Sequence, residues 1–289
     1  MRLRLSLIVC VFAFATVPVA CGGEDGHRGG ETASSAVGQE SELHHIHGLG
    51  VDSRSGAVYV ATHTGLFLAP PGRTQVRRVG DSRQDIMGFS IAAPGRLVGS
   101  GHPDPSQNLP PNLGLIESRD GGRTWQSISL MGKADFHVLR SAGRTVYGVD
   151  SGTGRLMVST DGGHDWTERV PPARVLDLAI DPGNVDRLVM ATGRGVFGSS
   201  NGGKGWQPLR DDVGGLLAWP AVKTLYLVDG RGQVARSSDG GREFETVGDV
   251  GGQPVAFTGA PDGLYVALAD GTVKSSGDNG KTWLLRARP

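Results

Sequence analysis

One turn motif appears five times in this chain. Ser118-Arg-Asp120-Gly-Gly122-Arg-Thr124-Trp125 is followed by Ser159-Thr-Asp161-Gly-Gly163-His-Asp-Trp166 and Ser199-Ser-Asn201-Gly-Gly203-Lys-Gly-Trp206. Then come Ser237-Ser-Asp239-Gly-Gly241-Arg-Glu-Phe244 and Ser276-Gly-Asp278-Asn-Gly280-Lys-Thr282-Trp283. The Asp or Asn positions are separated by 41, 40, 38 and 39 residues. A fixed period with one turn per unit is the mark of a repeat architecture. The residue types explain the turn. An Asx side chain accepts from backbone N–H groups just ahead of it, glycines supply positive φ at little steric cost, and the leading Ser ties the incoming strand to the same turn. The closing aromatic is expected to be buried between neighbouring sheets. This is a structural staple, and none of its carboxylates is expected to be catalytic.

Around each turn lie three short apolar runs. The first unit holds His47-Gly-Leu-Gly-Val-Asp52, Ala57-Val-Tyr-Val-Ala61 and Gly65-Leu-Phe-Leu68. Five more units follow the same plan, ending with Val255-Ala-Phe257, Gly263-Leu-Tyr-Val-Ala267 and Gly271-Thr-Val273. Glycine is abundant, with 47 residues, and turn signals recur about every ten residues, which is an all-β profile. Three strands plus a turn into a fourth, repeated radially, predict a β-propeller of six four-stranded blades over residues 43–289. The first unit carries Ala69-Pro-Pro-Gly72 where the turn should be. Which strand closes the ring stays open. The balance of 29 basic against 29 acidic residues leaves no basic footprint, so nucleic acid is not an expected partner.

The repeated motif resembles the Asp-box, or BNR, repeat of sialidases and their many non-sialidase relatives, and the likeness spans nearly the whole chain after its N-terminal segment. The resemblance implies a propeller with the box between the third and fourth strands of each blade, away from the active site. His45-Ile-His47-Gly-Leu49, Gly101-His-Pro-Asp104 and Asp135-Phe-His137 are further similar to exported bacterial Asp-box proteins. Those are often labelled glycosyl hydrolase, exo-alpha-sialidase or photosystem II stability factor-like. The sialidase activity itself is not supported by the residues. A retaining sialidase needs a tyrosine nucleophile and three arginines on the substrate carboxylate. Tyr59, Tyr147, Tyr226 and Tyr265 instead occupy the same mid-strand place in their repeats, which argues for packing, and no such arginine motif precedes the first box. Fold resemblance does not carry activity.

Residues 1–20 read as a signal segment, with Arg2 and Arg4 ahead of an apolar run too short for a permanent span. The run ends at Pro18-Val19-Ala20-Cys21-Gly22, which resembles a bacterial lipobox and departs from it at Pro18, where Leu or Val is usual. Cys21 would be the single Cys of the mature chain, and acylation accounts for it. Residues 21–42 read as a flexible tether. The expected location is therefore outside the bacterial cell membrane, held by a lipid anchor.

In a propeller the first strand of each blade lines the central channel, and the loops from second to third strand lie on the face opposite the boxes. Five of the eight histidines map to that face on three adjacent blades: His45 and His47, His63, His102 and His137. Alternation along the first strand places His45 and His47 on one side. Asp104 and Asp150 lie in the corresponding loops, while His164 lies in a box turn. Converging imidazoles suit a transition metal such as Zn or Cu. The expectation is thus a non-enzymatic binding protein that takes a metal ion or small polar ligand on this face. A glycosyl hydrolase acting on extracellular glycans is the alternative, though Asp52, Asp85, Asp104, Asp135, Asp150, Asp177 and Glu117 offer no evident catalytic pair. A protein–protein assembly platform is a third reading, with no partner indicated. The anchor makes a direct prediction. Cys21→Ala should move the protein from the membrane fraction to the soluble one with the domain still folded, and mass spectrometry of the wild type should find the acyl group; retention of the mutant and an unmodified wild-type Cys would overturn it.

Overall fold

The computed structural model describes Leu43 and residues 45–288. The expected signal segment and tether, with Cys21 and His27, lie outside the described residues, as does His44. Six antiparallel sheets of four strands each run in strict chain order. Blade one is Ile46–Val51 (β1), Val58–Thr62 (β2), Gly65–Ala69 (β3) and Arg77–Arg78 (β4). Blade two is Asp85–Ala93 (β5), Arg96–His102 (β6), Leu115–Ser118 (β7) and Gln126–Ser129 (β8). Blade three is Phe136–Ala142 (β9), Thr145–Asp150 (β10), Leu156–Ser159 (β11) and Thr167–Arg169 (β12). Blade four is Val175–Asp181 (β13), Asn184–Thr192 (β14), Gly195–Ser199 (β15) and Gln207–Arg210 (β16). Blade five is Leu216–Ala221 (β17), Thr224–Val228 (β18), Gln233–Ser237 (β19) and Glu245–Asp249 (β20). Blade six is Pro254–Ala260 (β21), Gly263–Leu268 (β22), Val273–Ser276 (β23) and Leu284–Ala287 (β24). The fold is the expected six-bladed propeller, with the innermost strands β1, β5, β9, β13, β17 and β21 packed in a ring.

Each repeated turn joins a third strand to a fourth, and its hydrogen bonds follow from its residues. Ser118 Oγ donates to Asp120 Oδ1 at 2.8 Å and accepts from the Gly122 N–H at 2.8 Å. Asp120 also accepts from Thr124, through N–H at 2.9 Å and Oγ1 at 2.7 Å. The Ser-to-Asx and Gly-to-Ser bonds recur at Ser159, Ser199, Ser237 and Ser276. The second glycine is obligatory for two reasons. Gly163 has φ +98, and a Cβ there would lie 2.0 Å from Leu115 Cδ2.

The closing aromatics are half-buried rather than fully enclosed. Each still packs into the core between its own blade and the preceding one: Trp125 against Phe89 and Leu97, Trp166 against Phe136, Trp206 against Leu156 and Leu188, Phe244 against Leu225, and Trp283 against Phe257. Their outer edges stay wet because the turn lies at the rim of the cleft. The sixth cleft, between blades six and one, has no such aromatic, and its core uses Leu43, Phe67, Tyr265 and the flanking Val76 instead. Among the described residues no strand is exchanged there. The ring is joined edge to edge: Arg288 N–H donates to Thr74 O at 3.0 Å, and Arg286 donates to the carbonyls of Arg73, Ala69 and Gly56.

The turn carboxylates make stability sensitive to acid. Hydrogen bonds, first from Thr124, hold Asp120 down to about 2; Ser159 and then the Asp165 N–H do so for Asp161, and Thr282 for Asp278, each also to about 2. A carboxyl depressed below its unfolded value contributes stability above that value, and the contribution is lost as pH falls through the folded pKa. The melting temperature should therefore drop as pH is lowered from about 4 toward about 2, and Asp120→Asn should show a shallower drop in the same melts. Parallel curves for wild type and mutant would refute the assignment.

Candidate metal centre at the channel mouth

The channel mouth is shaped by a backbone irregularity that recurs from blade to blade. In β1 the register steps from Ile46↔Thr62 to Gly48↔Ala61, so His47 is an extra residue with no partner opposite. The same bulge makes Met87 the extra residue of β5, His137 of β9, Leu176 of β13 and Val255 of β21. A bulge bends the strand and re-aims the extra side chain. His47 and His137 are thus equivalent positions, turned toward the channel. Residues three before the matched positions Gly48, Gly88 and Val138 are also equivalent: His45, Asp85 and Asp135.

The five histidines divide into two groups, each built on one of these aspartates. In the first, His63 Nδ1 lies 2.7 Å from Asp85 Oδ2, and His47 Nε2 lies 3.3 Å from Asp85 Oδ1. Asp85 starts blade two, and both imidazoles come from blade one. In the second, His137 Nε2 lies 2.8 Å and His102 Nε2 3.9 Å from the same atom, Asp135 Oδ2. Within each group one ligand atom from every member lies within 4.8 Å of the others. Asp85 and Asp135 are each 7% exposed, so these carboxylates are withdrawn from bulk water.

Several polar atoms here make no hydrogen bond. His47 Nε2 and Asp85 Oδ1 face each other at 3.3 Å without the geometry of one, and Asp135 Oδ1 is likewise buried without a hydrogen bond, a costly state for a polar group. His102 is more telling. Its Nδ1 lies 2.9 Å from Pro111 O. A carbonyl only accepts, so Nδ1 carries a proton and the ring is held with Nε2 toward the carboxylate. Nε2 and Asp135 Oδ2 lie 3.9 Å apart, too far for a direct hydrogen bond and close enough to ligate one cation. A ring N–H held by a backbone carbonyl is also the usual support of a metal-ligating histidine.

The hydrogen bond to Asp135 raises the His137 pKa above its ordinary value, against burial, and Asp85 and Asp150 add to the rise. Burial pushes Asp135 up, yet hydrogen bonds from His137 and Ser151 outweigh it and hold the carboxyl low. The second group senses Asp85 of the first.

Three predicted site residues stand apart from both groups. His45 precedes β1 with φ 55, and the residue after next is the bulge, so simple alternation does not hold between His45 and His47. The exposed His45 ring lies 6.0 Å from that of His63. Asp104 closes a turn of its own, accepting from Ser106 N–H, Ser106 Oγ and the Arg83 N–H. Asp150 is buried and accepts from the Asp135 N–H at 2.9 Å and from Thr153. It positions Asp135 rather than joining the cluster. Conversely, Asp85 and Asp135 were legible only as members of a longer set of carboxylates. Their distinguishing signal is their place, three residues ahead of an inner-strand position where blade one has histidine.

Below the mouth runs a channel of about 440 Å³, lined by all six inner strands. Its wall holds Arg140 of β9, whose guanidinium meets Asp177 at 2.5 Å. The tyrosines are elsewhere. Tyr147 Oη donates to Val185 O, Tyr226 Oη to Asn279 and Tyr265 Oη to Asp262. Burial raises the Tyr147 and Tyr265 pKa values to about 12, away from what a nucleophilic phenolate needs.

No protein-family model matches the sequence, and no curated protein sequence matches it. Solved structures do match in fold. The GH74 enzyme of Niastella koreensis aligns at TM-score 0.61 and 15% identity, over 84% of this chain and 45% of that one. A chain of the nidogen/laminin complex aligns at 0.62 and 14% identity, over 81% and 93%. YCF48 from Cyanidioschyzon merolae aligns at 0.51 and 16%, over 85% of each. At these identities the likeness is one of propeller architecture. This chain spans less than half the length of the GH74 enzyme.

The positioning role of Asp150 can be separated from ligation. Asp150→Ala strands the buried Asp135 N–H and should destabilise the fold by about 1–3 kcal/mol. Denaturant melts check it, and an unchanged midpoint would remove Asp150 from the support of the site.

Proposed function

We propose that this protein is a membrane-anchored, extracytoplasmic binding propeller without catalytic activity of its own, and that its top face holds divalent transition-metal ions in two sites, each of two histidines and one aspartate. The observation that carries the reading is the convergence of His47, His63 and Asp85, and of His102, Asp135 and His137, on two common points, with His102 held toward Asp135 by the bond from its other nitrogen to Pro111 O. Two imidazoles and a carboxylate form a donor set that suits zinc and other first-row ions and leaves a coordination position open. The residues would act simply. Asp85 and Asp135 supply charge, His47 and His63 close the first site, and His102 and His137 close the second. Binding at the second site displaces the proton that His137 shares with Asp135, and because that proton is held above the ordinary histidine value, affinity should begin to fall at a pH above about 6.5 and keep falling as pH is lowered. The anchoring half of the proposal rests on Cys21 and the polar tether after it. A glycosidase reading finds less support, because Asp85, Asp135 and Asp177 already face histidine or arginine.

Elemental analysis after loading with zinc and removing excess tests the proposal. Two zinc ions per chain are expected, falling to one in His63→Ala and one in His102→Ala, with His164→Ala, in a turn on the opposite face, unchanged. Chelation should lower the melting temperature by mass action. Equal uptake by all variants, or none by the wild type, would overturn it.

A further inference from the structure

Blades two and four share one register and differ at one buried place. Val98↔Glu117 and Glu117↔Gln126 in blade two correspond to Val189↔Gly198 and Gly198↔Gln207 in blade four. Glu117 and Gly198 are therefore equivalent, and so are Arg96 and Arg187, each directly before the leucine that pairs with the turn serine. In blade two the space between the strands is filled by a carboxylate. Arg96 Nε donates to Glu117 Oε1, and Arg119 Nε donates to Oε2 at 2.8 Å. Arg96 also reaches the turn of the next blade, donating from Nη2 to Gly162 O at 3.2 Å. Arg187 makes the same reach, from Nη2 to Asp239 O at 3.3 Å, and its Nη1 meets Asp181 at 3.0 Å. With glycine at 198, no carboxylate of β15 meets the Nε edge of Arg187. A cavity of about 300 Å³ lies there, lined by Arg187, Gly198, Ser200, Gln207 and Arg242 among others.

We infer that this cavity, on the face of the repeated turns, binds a small organic carboxylate, seated where the Glu117 side chain sits in blade two. Charge supports the inference independently of the parallel. Arg242 Nη1 donates to the same Asp239 O, also at 3.3 Å, so two guanidinium groups meet at one carbonyl oxygen. Like charges held this close repel. Asp181 answers the Nη1 edge of Arg187, and no carboxylate lines the cavity itself. The second cation of the blade-two arrangement, Arg119, is Ser200 here, and Arg242 from the neighbouring turn stands in for it. A guanidinium edge offers donors in a fixed planar fork that suits the two oxygens of a carboxylate. Ser200 and Gln207 add hydroxyl and amide groups beside it for the rest of the ligand. The volume lies at the small end of the range for small-molecule sites, which suits a free organic acid. The site shares no residue with the two histidine clusters and does not depend on a metal.

Propionate is a detached glutamate side chain and serves as the probe. It is titrated at constant ionic strength into nitrogen-15-labelled full-length protein, and the NMR signals of the Arg187 Nε–H and the Gly198 N–H are followed. Both should shift and saturate, and propionamide, which has the same shape without the charge, should move neither. Gly198→Glu should abolish the Arg187 response by filling the cavity from within. The new Cβ would lie 3.0 Å from Leu209 Cδ1, the end of a flexible side chain that can give way. Arg187→Lys keeps a cation for Asp181 and removes the fork, so the Gly198 response should weaken about tenfold. The reverse change, Glu117→Gly, should make the Arg96 Nε–H newly responsive to propionate. No saturable shift in the wild type, equal responses to propionate and propionamide, an undiminished response in folded Gly198→Glu or Arg187→Lys, or an unresponsive Arg96 in folded Glu117→Gly would each overturn the inference.

Discussion

Five of the six blades hang on a buried serine hydroxyl. In each repeated turn the hydroxyl donates to an Asx carboxyl or amide oxygen and accepts a glycine N–H, so the end of the third strand and the start of the fourth are fastened at one atom. That fastening sets the direction in which the closing aromatic leaves the turn and so aims it into the cleft beside the preceding blade. A hydroxyl suits this better than a charged group, because it can donate and accept at once in a place where water cannot help.

The regularity of the ring is also what makes its exceptions informative. The inner-strand bulge recurs in five blades whatever residue occupies it, so it belongs to the scaffold. Chemistry then depends on substitution at a few equivalent places. Blades one and three put histidine at the bulge; blade two begins with an aspartate and blade three directly after one; and the second strand of blades one and two ends at or just before a histidine. Each candidate site is built across or beside a blade boundary, so it exists only when neighbouring blades are docked in register.

The repeat period, the hairpin turns and the blade boundaries were readable from residues alone because they depend on local chemistry: an Asx turn, a positive φ, an alternating strand. The face on which His47, His63, His102 and His137 meet was readable too, because strand direction in a propeller fixes which loops share a side. The grouping was not. Period-two reasoning paired His45 with His47, but the bulge intervenes and His45 adopts a positive φ. Asp150 looked like a ligand from its loop and proves to be a support for the Asp135 backbone. Selecting Asp85 and Asp135 from the other carboxylates required knowing which blades touch, and that information is long-range. The closure of the ring was hidden for the same reason, since Arg286 and Arg288 carry no motif that points to residues 73 and 74.

That closure has a consequence for how the molecule comes to exist. Five of the six blade contacts join segments that follow one another along the chain, so they can form in order as it grows. The last joins positions more than two hundred residues apart, as the 213-residue separation of Arg286 from Arg73 records. Until it forms, the protein is an open arc with an unfinished apolar flank at each end, Leu43, Phe67 and Val76 on one and Tyr265 and Val273 on the other. The circle removes both flanks in a single event, and because the entropy of closing a loop grows only logarithmically with its length, shutting a ring this large is little harder than shutting one half its size.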